Sequence, residues 1–243
     1  MLNSRACLPI LWCLPFAGGN SSIFQTWPSL LAGIVEVRPI ILPGRESRFS
    51  ETARDSLHIL ADEIYLQMTP LKNRKWSLFG HSMGGALAWE VAMRIEQQET
   101  RDNLVLLAIG GRASPELGRL TPPIYKQDDS TFIQSLGELG GTPQEVLAER
   151  DLMDLLLPTI RADFKAIETW VPTEGTLSRT PILACGGKFD KESELLRIEG
   201  WKNKTLSWCK LFEFDGNHFF INTHRDQLMS TLKETLLFAL RED

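Results

Sequence analysis

The segment Gly80-His81-Ser82-Met83-Gly84 constrains the fold of this chain more than any other part of the sequence. It directly follows the apolar run 76–79 and directly precedes the helix-forming run 86–92. A Gly-x-Ser-x-Gly sequence between a strand and a helix predicts a sharp turn that exposes the serine, and its glycines let two backbones approach closely. Without these flanks the same residues would indicate an ordinary glycine turn. With them, Ser82 is predicted to be a catalytic nucleophile.

Short apolar runs alternate with helical patterns along most of the chain. This alternation predicts an α/β fold with a mostly parallel central sheet and helices on both faces. A length of 243 residues fits a single domain over residues 1–243. The predicted strands cover residues 11–14, 34–42, 76–79, 104–109, 181–185 and 208–214.

Two predicted helices show an apolar stripe at the three-and-four spacing of an amphipathic helix. The stripe of the first runs from Leu57 to Leu71, and that of the last runs from Leu228 to Leu240. Thr223 and Asp226 have the spacing of a capping box at the start of the last helix. Both helices are therefore predicted to pack on the sheet.

Residues 112–170 interrupt the alternation, because they contain two or three helical segments and no convincing strand. They are predicted to form a helical insertion. Over a sheet of this kind, such an insertion usually serves as a lid that shapes the substrate pocket and excludes water from it. The alternative is a passive helical layer.

Charge and apolar content exclude several classes of function. The net charge of -5 disfavours nucleic acid as a partner, because phosphate binding depends on clustered cations. No run approaches the roughly 18 apolar residues of a membrane helix. Pro9 and Pro15 interrupt the apolar stretch within residues 1–19, which argues against a secretory signal. A cytoplasmic location is therefore expected.

The four cysteines have neither CxxC nor metal-ligand spacing, so we expect buried free thiols in a reducing compartment and no metal site. They are Cys7, Cys13, Cys185 and Cys209.

A serine nucleophile needs a general base, and the chain has four histidines. His81 lies inside the turn beside Ser82, where its ring cannot readily serve the hydroxyl, and His58 lies on the polar side of an amphipathic helix. His218 follows the last predicted strand and should project from the same sheet edge as Ser82, whereas His224 is expected in the first turn of the final helix. His218 is therefore the predicted base.

The acid that orients the base should leave a strand end between Ser82 and His218. Asp190 ends the loop after the predicted strand 181–185, although a loop aspartate can also be a simple helix cap. Its role would be to fix the tautomer of His218 and to stabilise the imidazolium. The rival acids are Asp215, Glu192 and Asp163.

Negative charge that develops on a carbonyl oxygen needs backbone N–H donors. The amide of Met83, directly after the nucleophile, is the first predicted donor. The second is Ala17 in the glycine-rich loop after the first strand, with Phe16 as its rival. The same glycines would also suit a simple tight turn.

Taken together, five segments in this order resemble the type II thioesterases of the α/β-hydrolase superfamily, the stand-alone editing enzymes of nonribosomal peptide and polyketide synthesis. The resemblance covers nearly the whole chain. The segments are Pro15-Phe16-Ala17-Gly18-Gly19, Leu42-Pro43-Gly44-Arg45-Glu46, residues 80–85, residues 156–164 and Gly216-Asn217-His218-Phe219-Phe220. The second and fourth segments are interpreted as scaffold around the pocket and lid, with no catalytic step.

This resemblance implies hydrolysis of acyl, aminoacyl or short peptidyl thioesters held on the phosphopantetheine arm of a carrier protein. It implies a transient carrier-protein partner and no cofactor of the enzyme itself. A monomer is expected because no sustained heptad or repeat appears in the sequence. Five cations are expected in loops near the pocket mouth or lid, where they could meet an acidic carrier or be ordinary solvated surface: Arg45, Arg48, Arg112, Arg119 and Lys126.

Three other functions use the same residues differently. An esterase or acyl-coenzyme A thioesterase would keep Ser82, Asp190 and His218 but act on small acyl substrates. A binding module would typically have lost one of these residues, and this chain retains all three. Acyl transfer to an acceptor other than water would need the same acyl-enzyme.

Overall fold

The computed structural model describes residues 8–242, apart from the side chain of Thr100. Its centre is a six-stranded sheet in the order β2-β1-β3-β4-β5-β6, and every neighbouring pair of strands is parallel. All six predicted strands are present, although β2 is shorter than the predicted run 34–42. The strands are β1 Ile10–Leu14, β2 Glu36–Pro39, β3 Trp76–His81, β4 Leu104–Gly110, β5 Ile182–Gly187 and β6 Cys209–Phe214.

The strand order places the loops after β1 and β3 next to each other. The chain runs from β1 to β2 on one side and then returns to place β3 on the other side of β1. In parallel sheets, ligands bind outside the carboxyl ends of the strands at the point where the order reverses. The topology therefore locates a binding site at the ends of β1 and β3.

Helices cover both faces of the sheet. Side chains alternate along β1, so that Ile10, Trp12 and Leu14 pack towards one layer of helices, whereas Leu11 and Cys13 pack towards the other. The helices are α1 Trp27–Leu30, α2 Leu57–Met68, α3 Met83–Glu96, α4 Asp129–Leu139, α5 Gln144–Ala148, α6 Arg150–Glu168, α7 Leu195–Ile198, α8 Phe220–Thr223 and α9 Arg225–Glu242.

Both predicted amphipathic stripes are largely buried. In α2 the buried residues are Leu57, Leu60, Ala61, Ile64 and Met68, and Leu71 lies in a following 3-10 turn. In α9 the buried apolar residues include Leu228, Met229, Leu232 and Leu236.

The predicted capping box at the start of α9 is wrong. Thr223 is the last residue of α8, and α9 begins at Arg225. The Thr223 hydroxyl lies 3.0 Å from His224 Nδ1. The break between α8 and α9 therefore moves this side chain away from the position that the spacing suggested.

Helices α4, α5 and α6 lie between β4 and β5, within the segment 112–170. They build a small core of their own from Phe132, Leu136, Met153, Leu157 and Ile160. This cluster is separate from the two clusters that cover the faces of the sheet. The segment therefore adds a third packing unit above the sheet.

Among the described cysteines, Cys13 and Cys185 are buried free thiols and Cys209 is a half-buried one, whereas Cys7 lies outside the described residues. Burial raises the pKa of Cys185 to about 12 and that of Cys209 to about 11. These thiols therefore remain protonated near neutral pH. Across residues 8–242, the helices are too short or too polar to cross a membrane.

Candidate active site

Ser82 lies at the junction between β3 and α3 in a strained backbone conformation. Its φ of +56° and ψ of -114° are unusual for a residue other than glycine. A Cβ on Gly80 would lie 1.9 Å from the Gly84 carbonyl oxygen, and one on Gly84 would lie 2.1 Å from the Leu14 carbonyl oxygen. Gly80 therefore allows the close approach of β3 to the start of α3, and Gly84 allows that of the turn to the end of β1. The Ser82 side chain is half-exposed and lines a pocket at the carboxyl ends of the strands.

His218 connects Ser82 to Asp190. His218 Nε2 lies 2.9 Å from Ser82 Oγ, and His218 Nδ1 lies 2.6 Å from Asp190 Oδ2. A carboxylate only accepts hydrogen bonds, so Nδ1 carries the proton and Nε2 is left to accept from the Ser82 hydroxyl. The three side chains leave the carboxyl ends of β3, β5 and β6, which meet at one edge of the sheet. The arrangement can move a proton from the serine hydroxyl to the imidazole.

The carboxylate of Asp190 is held ionised by its surroundings. Burial acts to raise its pKa, but hydrogen bonds and charge from His218, with further hydrogen bonds from the Ser193 hydroxyl and the Glu192 amide, keep the pKa below its ordinary value. The side chain is only 6% exposed. Asp190 can therefore stabilise a positive charge on His218 near neutral pH.

The rival residues have other partners. Asp215 forms an exposed ion pair with Lys188, and Glu192 accepts from the Leu120 amide at 3.1 Å. His224 contacts Thr223. Within residues 8–242, these three side chains form no hydrogen bond to Ser82 or His218.

His81 is fully buried beside the site and supports the His218 loop. Its Nε2 donates to the backbone carbonyl oxygen of His218 at 2.8 Å, and the two rings are 5.3 Å apart. Burial, followed by the charge of His218, lowers the pKa of His81 to about 3. The ring is therefore neutral, and it fixes the backbone of the histidine that faces Ser82. The place of His81 inside the turn predicts that it is not the base, but it does not predict this contact.

Two backbone amides beside Ser82 are available to bind an oxyanion. Among residues 8–242, the amides of Ala17 and Met83 donate to no other protein group. Met83 is the first residue of α3, so its N–H is one of the free donors at a helix N-terminus. Ala17 lines the same pocket as Ser82. Phe16 also lines this pocket, so the choice of Ala17 over Phe16 stays a prediction.

Arg45 is not a surface cation, contrary to its predicted place among the loop cations. It is only 8% exposed and forms a two-pronged ion pair with Asp163 of α6, at 2.7 and 2.8 Å. Asp163 Oδ2 also accepts from the Gly18 amide at 2.8 Å, and Arg45 Nη1 donates to the Gly19 carbonyl oxygen at 2.8 Å. These contacts tie two of the resemblance segments to the loop that follows β1.

The other predicted cations are also engaged within the chain. Arg48 pairs with Glu51 at 2.7 Å and Arg119 pairs with Glu168 at 3.0 Å. Arg112 lies 5.1 Å above the ring of Trp170, and its burial lowers its pKa to about 10. Lys126 lies over the ring of Tyr125. Most of this set is therefore committed to local contacts.

The pocket that contains Ser82, His218 and Asp190 is roofed mainly by apolar side chains. Helices α4 and α6 contribute Leu136, Leu139, Ile160, Phe164 and Ile167. The roof suits an acyl chain better than a charged ligand. Among the described residues, no cluster of His, Cys, Asp and Glu side chains could hold a metal ion.

Comparison with known proteins gives a consistent result. The family model described as "Thioesterase domain" matches residues 9–236. The gramicidin S biosynthesis protein GrsT of Aneurinibacillus migulanus is 33% identical over 98% of this chain and 93% of its own. The thioesterase PikA5 of Streptomyces venezuelae is 30% identical over 93% of this chain and 80% of its own.

Solved structures share the fold. The type II thioesterase BorB from the borrelidin biosynthetic cluster superimposes with a TM-score of 0.84 at 30% identity. The alignment covers 94% of this chain and 93% of that one.

Proposed function

Because this chain belongs to the thioesterase domain family, we propose that it is a type II thioesterase that hydrolyses acyl, aminoacyl or peptidyl thioesters on carrier proteins. The observation that carries the proposal is the pair of hydrogen bonds by which His218 joins Ser82 to Asp190. Ser82 is the nucleophile, His218 the general base and Asp190 the orienting acid. The Met83 and Ala17 amides form the oxyanion hole.

The first half-reaction transfers the acyl group to the enzyme. Ser82 Oγ attacks the thioester carbonyl carbon while His218 Nε2 takes the hydroxyl proton, and Asp190 stabilises the imidazolium that results. The amides of Met83 and Ala17 donate to the oxyanion of the tetrahedral intermediate. The intermediate collapses with cleavage of the carbon–sulfur bond, and the pantetheine sulfur leaves with the proton from His218. The product is an acyl ester on Ser82.

The second half-reaction returns the enzyme to its starting state. His218 takes a proton from a water molecule as the water oxygen attacks the acyl ester. The oxyanion again accepts from the two backbone amides. Collapse of the intermediate breaks the bond to Ser82 Oγ, which regains its proton from His218. The carboxylic acid product then leaves.

Helices α4, α5 and α6 act as a lid over the acyl group. Apolar side chains of α4 and α6 line the pocket above Ser82, and those of α5 pack against the same cluster, which supports this role. Apolar side chains that exclude water strengthen the electrostatic contacts of the oxyanion hole, because fewer water dipoles screen them. Segment 112–170 is thus a lid insertion within one domain.

The partner is a carrier-protein domain of a nonribosomal peptide or polyketide synthase, which presents the substrate on its phosphopantetheine arm. The relatives support this assignment, since one is a gramicidin S biosynthesis protein and another comes from the borrelidin biosynthetic cluster. The encounter is transient, and the enzyme works as a monomer in the cytoplasm. The phosphopantetheine belongs to the substrate, and the enzyme itself needs no cofactor.

The substrate class is tested by presenting one short acyl group in three forms: on a phosphopantetheinyl carrier protein, on coenzyme A and as a nitrophenyl ester. We expect the highest kcat/KM for the carrier-protein thioester. Equal turnover of the nitrophenyl ester with no release from the carrier would instead identify a small-ester esterase. A preference for coenzyme A over the carrier would identify an acyl-coenzyme A thioesterase.

A further inference from the structure

A buried ion pair joins the loop after β2 to α6 and contacts the loop that follows β1. Arg45 follows Gly44 in the loop after β2, and Asp163 lies within α6, 118 residues further along the chain. The exposed fractions of their side chains are only 9% and 1%. Removing two charges from water costs free energy, which is offset only when their hydrogen bonds are well satisfied. Both guanidinium Nη atoms and both carboxylate oxygens have partners, whereas Arg45 Nε has none among the described residues.

The partners beyond the ion pair belong to the loop after β1. The Gly18 amide donates to Asp163 Oδ2, and the Gly19 carbonyl oxygen accepts from Arg45 Nη1. Gly18 has a φ of +74°, a conformation that favours glycine. The pair thus holds the Gly18 amide and the Gly19 carbonyl group. These groups follow Ala17, whose amide is the proposed second oxyanion donor.

We infer that Arg45 and Asp163 are positioning residues, which fix the oxyanion loop in the orientation that the Ala17 amide needs. The inference rests on the proposed function. Oxyanion donors are effective when they are oriented before the reaction, so that no reorganisation is needed as charge develops. If the pair only joined α6 to the loop after β2, the carboxylate and the guanidinium would form hydrogen bonds with each other alone. Here one carboxylate oxygen and one guanidinium nitrogen are shared with the loop.

The arrangement also connects the lid to the chemistry. Asp163 is part of α6, whose Ile160 and Phe164 roof the pocket. The position of α6 therefore determines the position of the acceptor for the Gly18 amide. A change in that position therefore disturbs the hydrogen bonds of the pair to the oxyanion loop.

The test is a double variant, Arg45→Met with Asp163→Leu, because apolar replacement of both members of a buried ion pair often preserves folding. Asp163→Asn alone leaves Arg45 without its charge partner and serves as a second, less stable variant. The matched control is Lys165→Met with Asp55→Leu. Lys165 also lies on α6 and pairs with Asp55 at 2.5 Å, but this exposed pair does not contact the oxyanion loop.

Two readouts separate positioning from folding. One is kcat and KM for release of an acyl group from a carrier protein. The other is the rate at which a fluorophosphonate phosphonylates Ser82, followed by intact-protein mass spectrometry. Phosphonylation passes through an anionic state that uses the oxyanion hole but needs no thioester substrate. Thermal unfolding of each variant reports whether it is folded at the assay temperature.

For the folded double variant we expect kcat to fall by about 10-fold to 100-fold, with KM changed by less than about threefold, because a misplaced group costs up to about 100-fold. The rate of phosphonylation should fall in parallel, and the control pair should retain both rates. A folded double variant with wild-type kcat and wild-type labelling would overturn the inference.

The two rates also separate this inference from the proposed function. A wild-type enzyme that is labelled but releases no thioester disproves the proposed substrate, and the labelling rates then decide the role of the pair. A wild-type enzyme that is not labelled at Ser82 overturns both.

Discussion

Two buried carboxylates near Ser82 each bind a nitrogen base of a different kind. Asp190 binds His218 on what we call the catalytic side, and Asp163 binds Arg45 on what we call the supporting side, which contacts the loop after β1. An imidazole gives up its proton near neutral pH, whereas a guanidinium does not. The first pair can therefore transfer a proton, while the second provides a charge that does not change during the reaction.

The nitrogen base is more exposed on the catalytic side than on the supporting side. The His218 side chain is 26% exposed and that of Arg45 is 9% exposed. A base that exchanges protons with substrate and water must face the pocket. A pair that fixes a backbone loop works best where water cannot compete for its hydrogen bonds. The contrast explains why one chain needs two such pairs around one nucleophile.

The largest effect is expected from His218→Ala, which removes the proton acceptor from the catalytic side. We expect kcat to fall by about 10⁵-fold to 10⁶-fold, as for removal of the base in other triads. His224→Ala is the matched control, because His224 contacts Thr223 rather than Ser82. Steady-state release of an acyl group measures both variants. A comparable loss in the control would assign the base to His224.

The next effect is expected from Asp190→Asn, which preserves shape but removes the charge that holds the proton on His218 Nδ1. A loss of about 10⁴-fold in kcat is expected, because the amide favours the wrong tautomer. Asp215→Asn is the control, since Asp215 is exposed and pairs with Lys188. If kcat of the Asp190 variant stays within tenfold of the wild type, another group orients the base.

A third prediction concerns the junction between the two sides, where the turn at Ser82 touches the end of β1. In Gly84→Ala the new Cβ would lie 2.1 Å from the Leu14 carbonyl oxygen. We expect the free energy of unfolding to fall by about 3 kcal/mol, because a packed backbone contact cannot absorb the methyl group.

Gly137→Ala in α4 is the control for this variant, because its Cβ would meet only the flexible end of Leu147 at 3.3 Å and the Gln144 amide at 3.5 Å. Its stability should change by less than about 1 kcal/mol, since alanine favours the helix by a similar amount. Denaturant unfolding of both variants gives the comparison. Equal stability of Gly84→Ala and the wild type would contradict the required close approach.

The last prediction concerns the pH dependence of stability that arises from His81. Its pKa is about 3 in the folded protein against an ordinary value of 6.5. Between these values the unfolded chain binds a proton that the folded protein does not, so His81 makes stability fall as the pH falls. Above pH 6.5 the contribution is constant.

This contribution has a slope of up to about 1.4 kcal/mol per pH unit in that range. His81→Gln keeps a donor for the His218 carbonyl oxygen and does not titrate, so its stability should fall less steeply on acidification. Unfolding by urea at a series of pH values measures both slopes. Identical slopes would mean that folding does not lower the pKa of His81.

The contact of His218 with Ser82 and Asp190 was predictable from the sequence because it follows local rules. A nucleophile in a strand–turn–helix context, an acid and a histidine after later strands are each recognised from a few neighbouring residues. The parallel sheet then brings the strand ends together. Chain order sufficed to favour Asp190 and His218 over Asp215 and His224, and the structure places the favoured residues within hydrogen-bond distance.

The supporting side was not predictable in the same way. Arg45 and Asp163 are 118 residues apart and lie on elements whose packing no local pattern specifies. The sequence therefore predicts only that Arg45 is one of the loop cations. The contact of His81 with the His218 carbonyl oxygen was missed for the same reason. The sequence feature related to this contact is the pair Gly110 and Gly111, which leaves room for the His81 ring. A Cβ at either glycine would lie within 3 Å of that ring.

The most direct test of the catalytic assignment is a single-turnover reaction of excess enzyme with an acylated carrier protein, quenched in acid and followed by intact-protein mass spectrometry. The wild-type enzyme should remove the acyl mass from the carrier, and Ser82→Ala should slow this release by at least about 10³-fold. Any acyl adduct on the wild-type enzyme should map to the peptide that contains Ser82. Release by Ser82→Ala at the wild-type rate would contradict a serine mechanism.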